Sequence, residues 1–293
     1  MKRVNIIGCT MMVAFLVSAG AAWATPSTTY WTPATSDIQP FGVWHFGVDN
    51  YFRLAQSEEQ RLNAQTQFDS FSTDVGVTVG VLPFEKLQME IGIDGMFPGT
   101  RLNPALRSGG HALLFNAKLG VPEGALASWS PAFNVGIFNV GTQAQVTDMH
   151  IVDALIGKTL GSFGRIHGGG YYGNPNSVLM REGGCKPSPA NPALACVTDR
   201  ANRGGNNGKL DNVGGMVGYD FGFWKVKDKE GNEYNKWILA ADYASGKNAI
   251  GGGGFGIYHF FTKDISLLTG PVWFNDHAIN GQSKWTVQLD INY

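Results

Sequence analysis

Cysteine is scarce in this sequence, with three among 293 residues. Charge is scarce as well: Asp, Glu, Lys and Arg make up 15% of the chain, and 22 basic residues nearly balance 23 acidic ones. Such a balance leaves no basic footprint for nucleic acid, so no nucleic-acid partner is expected. Beyond the N-terminus there is no apolar run approaching the 18 residues of a membrane helix. No helix-period stretch is found there either, which excludes a helical bundle. Neither Cys-x-x-Cys nor paired-histidine spacing occurs, so neither a metal site nor a cofactor is expected. What the chain holds in excess is glycine, 40 residues, and aromatics, 18 Phe, 9 Tyr and 8 Trp. That combination, without helical periodicity, points to strands.

The N-terminus is built differently. Lys2 and Arg3 precede the apolar run MMVAFLVSAGAA, which ends in Ala22-Trp23-Ala24, a small-x-small cleavage site. This pattern predicts a secretory signal peptide over 1–24, removed after Ala24, and one domain over 25–293. Ile7-Gly8-Cys9 lies ahead of the apolar run rather than after it, so no lipid anchor is expected. Cys9 leaves with the leader, and Cys185 and Cys196 remain. In an exported chain an even pair favours a disulfide closing a short loop, two free thiols being the alternative.

Alternation with a period of two runs through the rest of the chain. In TDVGVTVGV, Val75, Val77, Val79 and Val81 share one face, opposite Asp74, Gly76, Thr78 and Gly80. After a turn at Pro83–Lys86, Leu87, Met89, Ile91 and Ile93 stand opposite Gln88, Glu90, Gly92 and Asp94. Runs of this kind predict about twelve strands, near 41–53, 70–81, 87–97, 110–119, 131–140, 149–161, 164–173, 210–224, 235–245, 250–261, 265–275 and 283–293. The runs at 149–161 and 265–275 alternate poorly. Gly251–Gly254 reads as a bend at a strand end, since no helix follows it to make a phosphate cradle. Joins at 82–86, 162–163 and 262–264 are tight, whereas those at 54–69, 98–109, 174–209 and 276–282 are longer. Joins 120–130 and 225–234 are long for their side of that pattern.

The sequence ends SKWTVQLDINY, with Trp285, Val287, Leu289, Ile291 and Tyr293 at every second place. With the export signal, the amphipathic strands and the unequal joins, the chain resembles a Gram-negative outer-membrane β-barrel of the porin-like class. The resemblance implies an all-β, antiparallel transmembrane barrel of about twelve strands in the outer membrane. It also implies that these five residues are the terminal signal read by the barrel-assembly machinery, that they face lipid, and that 174–209 is a long extracellular loop. Homo-oligomerisation is left open.

For the interior, alternation places Asp74, Glu90, Asp94, Lys118, Arg165, His167, Asp220, Asp242, Lys284 and Asp290 toward the lumen. Gly76, Gly80, Gly92, Gly214, Gly218 and Gly222 fall on the same face, where small residues leave space or relieve crowding. The expected function is passive passage of small hydrophilic solutes or ions. Alternatives are a non-conducting scaffold acting through 174–209, with that loop outside or folded in as a plug, and an outer-membrane hydrolase. The His-x-Ser pair of outer-membrane phospholipases is missing after all six histidines, so no enzyme and no catalytic residues are expected.

Overall fold

The computed structural model describes residues 30–54, 72–98, 112–141, 147–182, 208–280 and 283–293. The predicted leader and the cysteines at 185 and 196 lie outside the described residues. Twelve strands form one closed antiparallel barrel: β1 Trp44–Arg53, β2 Ser72–Gly80, β3 Gln88–Pro98, β4 Ala112–Val121, β5 Ala132–Gly141, β6 Ile151–Thr159, β7 Arg165–Tyr172, β8 Val213–Lys227, β9 Glu233–Ala244, β10 Gly252–Phe260, β11 Ile265–Phe274 and β12 Lys284–Asn292. Each strand pairs with its chain neighbours, and β12 closes on β1 from His45↔Asn292 to Arg53↔Lys284. Closure finishes at Trp44 and Tyr293, which exchange both backbone hydrogen bonds at 2.9 and 2.8 Å. A closed ladder leaves no sheet edge.

The two poorly alternating runs are both strands, because packing inside the barrel, not polarity, sets their inner faces. In β6, Ile151 and Leu155 point inward beside Asp153, and in β11, Leu268, Val272 and Phe274 do so. An apolar residue on both faces erases the alternation that a half-solvated strand would show.

The end where β1 begins and β12 finishes is the base, and the opposite end is the mouth. Base connections are short at 81–87, 160–164, 228–232 and 261–264. The expected long join at 225–234 is instead a ribbon: β8 and β9 pair out to Lys227↔Glu233, and only 228–232 turns. The join after β4 is long because it reaches sideways. Glu123 there accepts from the Thr159 backbone N–H and hydroxyl and from Lys158 Nζ at 2.7 Å, tying the turn to β6. Partial burial opposes that charge, but the Lys158 and Thr159 hydrogen bonds outweigh it and hold the carboxyl below its ordinary range.

The outer wall is apolar around the circumference. Phe46, Ile91, Ile93, Phe115, Val135, Ile156, Val217 and Leu239 are all exposed on it. Aromatic side chains crowd both rims, with Trp44, Trp129, Phe163 and Trp224 at the base and Phe52, Tyr172, Trp273 and Trp285 toward the mouth. A continuous apolar band with two aromatic rims is the surface a barrel presents to a bilayer. Val287, at mid-height of β12, belongs to it. Val287→Arg is expected to cost about 2–4 kcal/mol of folding stability in lipid. Urea titration of the variant in vesicles checks this; an unchanged midpoint would place that face outside the lipid band.

Candidate functional site

The barrel interior is occupied by the chain's own segment, residues 30–40, YWTPATSDIQP. It joins β1 through Phe41–Val43 at the base and climbs inside the wall toward the mouth. Two prolines, Pro33 and Pro40, keep it extended and out of any ladder. Most of the backbone hydrogen bonds recorded for it, in the absence of a sheet partner, are made to wall side chains, while the Asp37 N–H donates to the segment's own Thr35 Oγ1.

The contacts form a sequence from base to mouth. Gln39 N–H donates to Glu90 Oε2 at 2.7 Å, and Glu90 lies 3.5 Å from Lys118 Nζ. Lys118 Nζ also donates to the Asp37 carbonyl at 3.1 Å. Arg165 grips Asp37 with both terminal nitrogens, at 2.8 and 2.7 Å, and holds Asp220 at 3.0–3.1 Å. Asn134 Nδ2 donates to the Thr35 carbonyl at 3.0 Å. Near the top, Asp242 Oδ2 accepts the N–H groups of Tyr30, Trp31 and Thr32 at 2.7, 2.8 and 3.0 Å. Gln288 Nε2 donates to the Tyr30 carbonyl, and the Tyr30 hydroxyl donates to the Pro271 carbonyl, both at 3.1 Å.

His167 has a defined role in this chain of contacts. Its Nδ1 accepts the Ser36 backbone N–H at 3.1 Å, and a backbone N–H can only donate. The ring proton therefore sits on Nε2, which faces Asp220 Oδ2 at 3.2 Å. Ser36 Oγ also lies 3.0 Å from Nδ1, so Ser36, His167 and Asp220 line up in the order of a nucleophile relay. All three are buried, and a Cβ on Gly157 would overlap both Ser36 Oγ and the imidazole. With no face of Ser36 open to a substrate, the relay here fastens the segment to the wall.

Gly76, Gly80, Gly92, Gly214 and Gly222 on the inner face do not leave open space. A Cβ at Gly80 would overlap the Pro40 carbonyl, and one at Gly92 would meet Asn116 and Thr78. Of Gly251–Gly254, read from sequence as a bend at a strand end, Gly252–Gly254 open β10 as strand. With Gly256 and Gly270, Gly254 forms a recess for the Tyr30 ring, which a Cβ at any of the three would strike. Around it lies an apolar cluster of Tyr30, Tyr51, Ile238, Tyr258, Phe260, Leu268, Val272 and Phe274, with Trp31 against it. A second cluster nearer the mouth joins Ala34, Ile151, Leu155, Tyr171, Met216 and Ile250 to Met180 from the β7–β8 connection. Met180 is held by the stem of that connection, where Arg181 bridges to Leu210 and donates to the Gly208 and Pro175 carbonyls. The stem covers the mouth above β6–β9; residues 183–207 of the 174–209 loop lie outside the described set.

The remaining inward carboxylates lie on β1, β2, β3, β12 and, at Asp153, β6. Asp49 and Asp74 are register partners, Asp94 accepts from Asn116 Nδ2 at 2.7 Å, and Asp290 lies 3.5 Å from His45 Nε2. Lys284 Nζ stands 5.4 Å from the Phe274 ring centre. On the outer face of β12, Trp285, Val287, Leu289 and Ile291 alternate with buried Thr286, Gln288 and Asp290, and Trp285 donates to Thr269 Oγ1 at 2.6 Å. Tyr293 is 95% exposed at the base.

No protein-family model matches the chain, and no curated protein matches it. Solved structures similar to it are outer-membrane barrels. A mutant of the Rh. blastica porin aligns over 79% of this chain and 58% of its own at 9% identity, TM-score 0.35. This chain therefore spans less than two thirds of that porin. Outer membrane phospholipase A from Escherichia coli aligns over 87% of this chain and 97% of its own, at 9% identity and TM-score 0.42. The Salmonella typhi outer membrane phospholipase, a dimer with bound calcium, aligns over 87% and 91% at 9% identity, TM-score 0.39. At such values the likeness is no guide to activity.

Proposed function

We propose that this chain is an outer-membrane barrel held shut by residues 30–40, which passes small hydrophilic solutes or ions when that segment leaves the lumen. The apolar band, the aromatic rims and the N-terminal export signal support the outer-membrane location, with the base facing the periplasm. One observation carries the gating: residues 35–39 meet the wall through polar side chains, Glu90, Lys118, Asn134, Arg165 and His167, whose contacts water can replace. The wall keeps its own closed ladder without the segment, so displacement leaves no strand unpaired.

The capped mouth favours a second reading, a non-conducting scaffold that presents the 174–209 loop. Single-channel recording of the full chain in planar bilayers separates the two. Wild type is expected to be quiet with rare openings, and Asp37→Ala, which frees the segment from Arg165, to raise the open fraction at least tenfold. Silence from both, with folded protein confirmed by heat-modifiable gel mobility, would leave the scaffold. Steady current only after deleting 183–198 would move the gate to the loop.

A further inference from the structure

We propose that the lumen beside Asp242 is a binding site for small organic ammonium ions, which compete with residues 30–32 for it. The proposal rests on the reading that the segment can leave the lumen, and it names the class of solute met there. Three successive N–H groups aimed at one carboxylate oxygen make an electropositive concavity, so the segment fills the place of a cation. Asp242 is 4% exposed, and its wall neighbours across the ladder are Gly218 and Gly254, neither of which carries a donor side chain. Once the segment leaves, its charge faces an enclosed space with no built-in counterion beside it on the ladder.

The walls of that space suit an organic cation rather than a bare metal ion. Trp31 packs edge-on against Tyr51 and Phe274, with ring centres 5.4 and 5.1 Å apart. Its departure uncovers both rings, with Tyr258 in the same cluster. A carboxylate flanked by aromatic rings attracts an ammonium through charge and through the ring quadrupoles together. The chain's own ammonium, Lys284 Nζ, already stands over Phe274. The recess at Gly254, Gly256 and Gly270, which holds the Tyr30 ring, gives room for the alkyl part of such an ion.

The test is calorimetric titration of the full chain in detergent with ethylammonium chloride, against sodium chloride at equal ionic strength. Saturable binding of ethylammonium only is expected. Asp37→Ala, remote from Asp242, should tighten apparent binding about tenfold because the competing segment is loosened. Asp242→Asn should weaken it tenfold or more, and Phe274→Leu, which keeps the carboxylate, about threefold. Equal responses to sodium and ethylammonium, or binding indifferent to Asp242→Asn in a folded protein, would overturn the site. Planar-bilayer current read in parallel separates the two proposals: binding without added current upholds the site and removes the gate, whereas current equal for all cations upholds the gate and removes the site.

Discussion

Arg165→Met is expected to destabilise the folded barrel by about 3–5 kcal/mol, the usual cost of removing one partner from a buried ion pair. The guanidinium is the common counterion of Asp37 on the segment and Asp220 on β8, and its side chain is 15% exposed. Without it the Asp37 and Asp220 carboxylates lose the counterion they share in a closed interior, while His167 still faces Asp220 and the Ser36 backbone. Thermal unfolding followed by gel mobility should show the loss. Arg165→Lys should recover only part, since an ammonium lacks the fork that holds both oxygens of Asp37. Adding Asp37→Asn to Arg165→Met should restore some stability, because the double change removes one of the stranded charges. Full stability in the single variant would mean that the Arg165 cluster is hydrated and does not hold the segment.

Asp242→Ala carries the second large effect, and it is local. Three N–H donors, those of Tyr30 and Thr32 buried and that of Trp31 half-buried, lose their acceptor at once, and each charge-assisted bond contributes about 1.5–3 kcal/mol. Amide exchange at 30–32 should accelerate by about tenfold to a hundredfold, the factor that loss of one such bond accounts for. Exchange at 36 and 39 should change much less, because the His167 and Glu90 contacts hold the lower half independently. Uniform acceleration along 30–40 would show one cooperative unit; no acceleration at 30–32 would show that Asp242 is not its anchor.

The wall of this barrel is written in its sequence, and its contents are not. Alternation at 73–81 and 87–94 marks β2 and β3 directly, because one face meets apolar surroundings and the other polar ones. The end of the chain shows why: Trp285, Val287, Leu289 and Ile291 face outward while Thr286, Gln288 and Asp290 are buried. Segment 30–40 has neither period, since it pairs with no strand and its contacts come from seven different strands. Its trace lay in the partners instead. Gly254, Gly256 and Gly270 gather on neighbouring strands where an inward side chain would ordinarily stand, and Tyr30 supplies the missing bulk. Arg165 and His167 were visible as an inward pair, yet their partners Asp37 and Ser36 are about 130 residues away in sequence, as the separations of 128 and 131 show. Spacing within a strand cannot reveal a contact of that range.

Whether residues 30–40 lie inside the barrel is tested most directly by a crosslink in intact outer membranes. Ser36→Cys and Gly157→Cys, introduced together with His167→Ala to clear the imidazole that a Cβ at 157 would overlap and with Cys185 and Cys196 replaced by serine, place the two Cβ positions in contact, since a Cβ at 157 lies 3.0 Å from that of Ser36. A disulfide between them should form on brief treatment with oxidised glutathione, which takes up the two electrons, and change gel mobility under non-reducing conditions. Ser36→Cys paired with Gly47→Cys, on the far wall in β1, should form none. No bond in the first pair, with Cys at 36 labelled rapidly by a membrane-impermeant maleimide, would contradict a lumen closed by its own chain.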